Sequence, residues 1–161
     1  MTIQTGQTLP DVPIAVIEDG ERHDTTTGAL FADRKVVMFG VPGAFTPTCS
    51  ELHLPSYVAM FERFRARGVG VYCLSVNDPF VMQAWAQAQS VPPGLKMLAD
   101  GNADFTHALG LELDGSGYGL GLRAKRFALY AEDGRVESLA IEAPGEFRVS
   151  SAEAMLAAIG G

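Results

Sequence analysis

Apolar and polar positions recur along this chain on two spacings, and each spacing predicts an element. Lys35-Val36-Val37-Met38-Phe39-Gly40-Val41 is a nearly unbroken apolar run, as expected of a strand covered on both faces. Val69 to Val76 reads the same way, because both of its alternating faces are largely apolar. Between them Leu52, Leu54, Tyr57, Val58, Phe61 and Phe64 fall mostly at three- and four-residue steps. That spacing predicts an amphipathic helix over Cys49 to Arg67, kinked at Pro55 and closed by Gly68. Strand, helix and strand in this order make one βαβ unit.

Weaker alternation from Val12 to Ile17 predicts an edge strand, ended by the turn Glu18-Asp19-Gly20, and Thr27 to Phe31 fits a short helix. Asn77 or Asp78 is expected to cap a helix with Pro79 in its first turn, running through Trp85 to Gln89 until Val91-Pro92-Pro93-Gly94 stops it. Leu95 to Ala99 is a short strand, Asp104 caps a short helix ending near Leu109-Gly110, and Asp114 to Gly121 is a flexible glycine-rich loop. Phe127 to Ala131 and Arg135 to Ile141 form a hairpin across Glu132-Asp133-Gly134. A last helix, Ser151 to Ile159, is expected to take Ser150 as its cap. These elements add up to an α/β fold, a mixed central sheet with helices on both faces.

A length of 161 residues predicts a single domain over 1–161, and a chain of this size buries about 70% of its unfolded surface without needing staples. A formal net charge of -7 and a pI near 4.8 exclude a nucleic-acid surface, which requires clustered Lys and Arg. No apolar run reaches the length of a membrane span, and Met1-Thr2-Ile3-Gln4-Thr5 lacks the features of a signal peptide, so a cytoplasmic protein is expected. His23, His53 and His107 are scattered and the two cysteines fit no zinc spacing, so no metal is expected.

The chemistry concentrates at Pro42-Gly43-Ala44-Phe45-Thr46-Pro47-Thr48-Cys49, just after the first apolar strand. Pro47 suits a first helical turn because its missing N–H would have no partner there anyway. Cys49 then lies in that turn, where free amides and the helix dipole favour a thiolate. The plainer reading makes it a small buried hydrophobe.

Pro42, Thr46 and Cys49, spaced Pro-x3-Thr-x2-Cys, resemble the active-site signature of the peroxiredoxins. Phe39 to Pro47, His53-Leu54-Pro55, Cys73 to Met82 and Arg123 to Leu129 resemble the type II, peroxiredoxin-5-like branch. The likeness covers most of the chain. It implies a thioredoxin-like fold and a thiol-dependent peroxidase without bound cofactor, acting on hydrogen peroxide and organic hydroperoxides, and a noncovalent homodimer packed near the active sites.

Under that resemblance Cys49 is the attacking thiolate. Lowering a thiol pKa from about 8.5 to about 6 raises the thiolate population at pH 7 about 30-fold, or about 2 kcal/mol, while nucleophilicity falls in step. Acidity alone is therefore too little, and donors to the peroxide oxygens are needed. Thr46, one turn before Cys49, and Arg126, at the start of an apolar strand, are the candidates. Taken alone they read as a helix cap and a solvated charge. Arg123 is a nearby alternative, but Arg126 immediately precedes the strand.

Pro42 is expected to roof the pocket as well as end the strand. Phe45, Thr48, Leu120 and His53 are expected around the substrate, with Phe45 and Leu120 offering apolar surface to alkyl hydroperoxides. His53 lies four residues after Cys49 and reads as a pocket-wall or helix-surface residue. A Cys–His pair suggests a cysteine hydrolase, but no acyl-pocket motif accompanies it. The loop Gly115 to Gly121 lacks the Lys-Ser/Thr of a phosphate loop and reads as a mobile rim.

Cys73 sits mid-strand and reads as a buried hydrophobe, about three residues or ~10 Å below the strand ends, whereas a disulfide needs Cα atoms within about 7 Å. No cysteine follows it. A one-cysteine cycle is therefore expected, with an external thiol reducing the Cys49 sulfenic acid. The resemblance implies glutathione with glutaredoxin first and thioredoxin second. Two rival readings are a thioredoxin-like thiol transferase and a redox-sensing binding module. Phe80, Met82 and Trp85 read as core or subunit-contact residues.

Overall fold

The computed structural model describes residues 1–160. In chain order the elements are β1 (Pro13–Glu18), β2 (Glu21–Thr26), α1 (Thr27–Phe31), β3 (Lys35–Val41), a π-helical turn (Cys49–His53), α2 (Leu54–Arg65), β4 (Val69–Ser75), α3 (Pro79–Ala88) and β5 (Lys96–Ala99). There follow α4 (Asp104–Leu109), β6 (Glu112–Asp114), a short 3-10 turn (Ser116–Tyr118), β7 (Leu122–Ala124), β8 (Phe127–Glu132), β9 (Arg135–Ile141) and α5 (Ala152–Ala158).

Seven strands form one sheet in the order β2-β1-β5-β4-β3-β8-β9. The three central strands β3, β4 and β5 run parallel, and antiparallel pairs extend the sheet on both sides. Residues of β3 divide between two cores: Val37, Phe39 and Val41 face one, and Val36 and Met38 the other. The first core holds Tyr57 and Phe64 of α2, Trp85 of α3 and Met155 of α5, and the second holds Phe31 of α1 and Phe105 of α4. Helices thus cover both faces, which is why β3 carries no polar alternation. Phe39 and Met38 have no exposed surface, and burial of such side chains contributes about 1.5–3 kcal/mol each. Gly40 is required by closeness, since a Cβ there would stand 2.1 Å from the Phe127 ring.

Several local expectations are corrected. β1 is an interior strand, because the polar segment Glu-Arg-His-Asp-Thr-Thr pairs with it along its whole length as β2 and takes the edge. Pro55 produces no simple kink. The chain widens into a π turn in which the Leu54 amide donates to the Cys49 carbonyl five residues back, and the missing proline N–H falls at the start of α2, where it costs least.

Asp104 does not cap α4, since the residue ahead of the helix, Ala103, is left-handed at φ 61°. Asp100 caps it instead, its carboxylate accepting from the Phe105 and Thr106 amides and the Thr106 hydroxyl. α5 is capped by Ser151 rather than Ser150, which is buried and turned toward Glu142. The segment expected as a loop, Asp114 to Gly121, is the connection of a short ribbon not foreseen from the sequence: β6 pairs with β7, and the Gly115 amide donates to the Gly121 carbonyl at 2.7 Å.

Candidate active site

The carboxyl ends of β3 and β4 lie side by side, Val41 opposite Ser75, and the loop leaving β3 is tied to the loop leaving β4. Asn77 Oδ1 accepts the Ala44 amide at 2.9 Å and the Ser75 hydroxyl at 2.5 Å. That tether holds a tight reversal in which Phe45 is left-handed at φ 64°, a strained state for an aromatic residue, costing on the order of 1–2 kcal/mol. Helical structure begins at Pro47, with the Ser50 amide donating to the Thr46 carbonyl at 2.9 Å. Cys49 occupies the first turn, as expected. The indole of buried Trp85 donates to the Ser50 hydroxyl at 3.0 Å, which locks this turn against α3.

Arg126, half-buried just before β8, reaches across the sheet to this turn. Its Nη2 donates to Cys49 Sγ at 3.1 Å and its Nη1 donates to His53 Nδ1 at 2.8 Å. Cys49 and His53 have no exposed surface, so the guanidinium meets the sulfur inside the protein.

The helix-surface reading of His53 is overturned. Its ring packs against Phe39, Tyr57 and Phe147 at centroid distances of 4.9, 5.7 and 4.9 Å. Its Nε2 lies 3.0 Å from the Ser150 carbonyl, which also accepts the Tyr57 hydroxyl at 2.8 Å. A carbonyl only accepts and a guanidinium only donates, so Nε2 carries the proton and Nδ1 is bare. Burial, and then the charge of Arg126, push the His53 pKa from 6.5 down to about 3, against the opposing pull of the Ser150 carbonyl and Glu142. The ring is neutral.

Behind Ser150 stands Glu142. Its carboxylate accepts the amides of Arg148, Val149 and Ser150 and the Ser150 hydroxyl, all at 2.7–2.9 Å. Burial alone would push this carboxyl up, but those hydrogen bonds outweigh it and hold the group below the usual carboxylate range. The Glu142 amide in turn donates to the Arg126 carbonyl at 3.0 Å.

The remaining predicted residues are spread around this centre. The Thr46 hydroxyl donates back to the Gly43 carbonyl at 2.6 Å, which leaves its lone pairs to accept. Pro42 and Thr48 are half-buried, and Phe45 is 55% exposed. Leu120 is half-buried on the ribbon, where its carbonyl accepts Arg123 Nε at 2.9 Å. The Nη1 of Arg123 donates to the Pro42 carbonyl at 3.4 Å, so this arginine joins the ribbon to the loop rather than touching the sulfur. A Cβ on Gly43 would come within 2.6 Å of that Nη1, so a side chain there would push the guanidinium aside.

Cys73 lies within β4, opposite Phe39 of β3 and Met97 of β5, with no exposed surface. Burial, and then the nearby Cys49, push its thiol well above the ordinary value, with Arg126 only partly offsetting them. Both cysteines are unbridged. Phe80 is 75% exposed, whereas Met82 and Trp85 are buried in the core.

Comparison with known proteins places this arrangement among relatives. The sequence model of the Redoxin family matches residues 4–156. Peroxiredoxin-2B of Arabidopsis thaliana is 44% identical over 159 residues, covering 98% of each chain. The crystal structure of reduced Prx3 of Vibrio vulnificus in complex with H2O2 superposes with a TM-score of 0.92 at 48% identity, over 98% of this chain and 99% of that one. Peroxiredoxin 5 of Alvinella pompejana gives a TM-score of 0.85 at 33% identity, over 98% and 97% of the two chains.

Proposed function

The chain belongs to the Redoxin family and is a peroxiredoxin of the type II, peroxiredoxin-5-like branch, a thiol-dependent peroxidase with a thioredoxin-like fold; from that premise we propose that Cys49 is its peroxidatic residue and runs a one-cysteine cycle. The observation that carries the assignment is the 3.1 Å contact between Arg126 Nη2 and Cys49 Sγ. A fixed guanidinium beside the sulfur stabilises the thiolate and stays in place when negative charge moves onto oxygen.

The sulfur attacks one peroxide oxygen in line with the O–O bond, which breaks as the S–O bond forms. Cys49 becomes the sulfenic acid, and the leaving oxygen takes up a proton to become water or an alcohol. Arg126 spends two of its five N–H groups on Cys49 and His53, and the others are available to the two peroxide oxygens. Thr46, with its own proton given to Gly43, accepts the hydroperoxide O–H and so orients the oxygen to be attacked. Pro42 offers no N–H to compete for the sulfur. Exposed Phe45 and the Leu120 ribbon supply apolar surface for the organic part of a larger hydroperoxide.

With Cys73 held inside the sheet as a protonated thiol, reduction of the sulfenic acid falls to an external thiol: glutathione with glutaredoxin, ahead of thioredoxin. A homodimer in the cytoplasm completes the proposal, with exposed Phe80 available for a subunit contact. The test is steady-state peroxide consumption with each reductant in turn. Turnover is expected to be fastest with glutathione and glutaredoxin and to vanish in Cys49→Ser; activity surviving in Cys49→Ser would sink the assignment.

A further inference from the structure

We propose that the cleft at the amino ends of β3, β4 and β5, at the opposite end of the sheet from Cys49, binds an organic phosphate of the nucleotide type: a phosphate head held by Arg34 and Lys96, with a flat, weakly polar body lying across Gly70. This goes beyond the peroxidase reading and does not depend on it.

The chain is acidic, yet its cations are not spread evenly. Arg34, Lys35, Arg67 and Lys96, four of the twelve Lys and Arg, line one cleft of about 590 Å³ against two carboxylates, Glu18 and Asp33. On a molecule of net charge -7, an excess of positive charge in a recess focuses a field that draws anions. The volume suits a small organic ligand. Lys35 is drawn off to Glu132 at 3.9 Å, whereas Arg34 and Lys96 have donors to spare.

Lys96 opens β5, and its side chain is only 17% exposed. Taking an ammonium that far from water is costly unless new hydrogen bonds replace the lost ones. Among the described residues its partners are the Glu18 carboxylate at 3.8 Å, beyond hydrogen-bond length, and the face of the Tyr72 ring at 5.6 Å. Its three N–H donors are thus held in a recess without a close acceptor.

The same tyrosine sets Arg34 beside it. The Tyr72 hydroxyl donates to the Leu30 carbonyl at 2.5 Å and accepts a long contact from Arg34 Nη1 at 3.5 Å. That uses one of five guanidinium N–H groups, and the others form a planar fork suited to phosphate oxygens. A terminal phosphate presents three acceptor oxygens around one centre, enough for a fork and an ammonium approaching from different sides.

Beside these cations the floor is bare backbone. Gly68, Gly70 and Gly94 line the cleft and also an adjoining shelf walled by Phe61, Val69 and Pro93. A Cβ added at Gly68 would meet nothing within 4 Å, and one at Gly70 nothing closer than 3.7 Å, so open space stands over both. Glycine lets a ligand lie close against the chain, and the apolar walls suit a ring better than a second charge. β3 runs from Lys35 at the cleft to Val41 beside the active site, about 20 Å. A ligand here leaves Cys49 open, so peroxide turnover serves as an independent check on folding.

The test is isothermal titration of reduced protein at about 0.1 M salt with ADP, pyrophosphate, adenosine and decanoate. ADP carries head and body, pyrophosphate the head, adenosine the body, and decanoate an apolar body on a carboxylate. Saturable one-to-one binding of ADP is expected, with pyrophosphate about tenfold weaker and the other two undetected at about 1 mM. Lys96→Met, which keeps the apolar stem, and Arg34→Gln are each expected to weaken ADP about tenfold, with peroxide turnover within about twofold of wild type. Gly70→Leu removes no charge but fills the floor, and is expected to abolish ADP binding. Arg148→Gln removes the same charge from the exposed segment held by Glu142 behind the active site, and its ADP affinity is expected within about twofold of wild type.

The proposal is overturned if wild type shows no saturable ADP binding, if binding survives both Lys96→Met and Arg34→Gln, or if Arg148→Gln weakens it as much as they do. Decanoate binding as tightly as ADP would make this a general anion cleft, and pyrophosphate binding as tightly as ADP would leave the shelf without a role; either result overturns the nucleotide assignment. Should Gly70→Leu fail to fold, Arg34→Gln and Lys96→Met decide the matter between them. None of these outcomes bears on the peroxidase reading, which fails only on peroxide consumption itself.

Discussion

Cys49 and Cys73 sit in the same apolar cluster, each without exposed surface and each unbridged, yet their surroundings prepare them for opposite fates. Cys73 is held within β4 between β3 and β5, where burial pushes its thiol up. Cys49 stands in a helical first turn beyond the end of β3, with the Arg126 guanidinium 3.1 Å from its sulfur. Burial therefore does not separate a reactive cysteine from an inert one. Removing water strengthens whatever charge remains, and only Cys49 has a cation aimed at it.

The comparison is broken most completely by removing that cation. Arg126→Ala is expected to slow peroxide consumption by about 100- to 1,000-fold, the cost of losing a donor aimed at developing charge, as read by stopped-flow mixing. If the loss is under tenfold, the difference between the two cysteines has another origin. Cys73→Ser acts on the other side of the comparison. Its turnover with glutathione and glutaredoxin is expected within about twofold of wild type, while a hydroxyl in a dry site costs about 1–3 kcal/mol in urea unfolding. A turnover that stalls would make Cys73 a resolving thiol and end the one-cysteine cycle.

A smaller effect comes from the groups behind Arg126. His53 is held near pKa 3 in the folded protein against 6.5 for the free side chain, so in that window the unfolded chain binds a proton that the native state excludes. Stability is therefore expected to fall as pH drops below about 6.5, by up to about 1.4 kcal/mol per pH unit. Glu142, with a lowered carboxyl, acts in the same direction further down: its contribution is present above the unfolded carboxyl pKa of about 4.3 and is lost as pH falls through its folded value. Urea unfolding between about pH 7 and about pH 5 should show the slope, and His53→Asn should flatten it.

The parts of the molecule legible in the sequence are those whose cause is local. β3 and β4 were readable because strands covered on both faces need apolar residues at every position. Pro47, Asp78 and the Glu132-Asp133-Gly134 turn announce themselves by backbone chemistry. β2 was not readable, because Glu21–Thr26 buries little and owes its place to backbone pairing with β1. β6 and β7 have three residues each, too few to show a period, so only the glycine-rich connection between them is legible.

The same division holds at the site. Cys49 is legible in a motif, whereas Arg126, 77 residues away, reads alone as a solvated charge at a strand start and is picked out only by the family resemblance. The links from His53 to Ser150 and from Ser150 to Glu142 had no sequence signal, since the first joins residues 97 apart and depends on how α5 returns to the sheet. Asn77 offered one cue, its place just past the end of β4, where a side chain can reach the neighbouring loop.

The central claim is that the guanidinium, rather than burial, selects the reacting sulfur. Its most direct measurement is peptide mapping after reduced protein meets a single equivalent of hydrogen peroxide in the presence of dimedone, which traps sulfenic acid. The account predicts the adduct on Cys49 in the wild type, far less of it in Arg126→Ala at the same reaction time, and none on Cys73 in either. An adduct on Cys73, or undiminished trapping at Cys49 once Arg126 is gone, would contradict it.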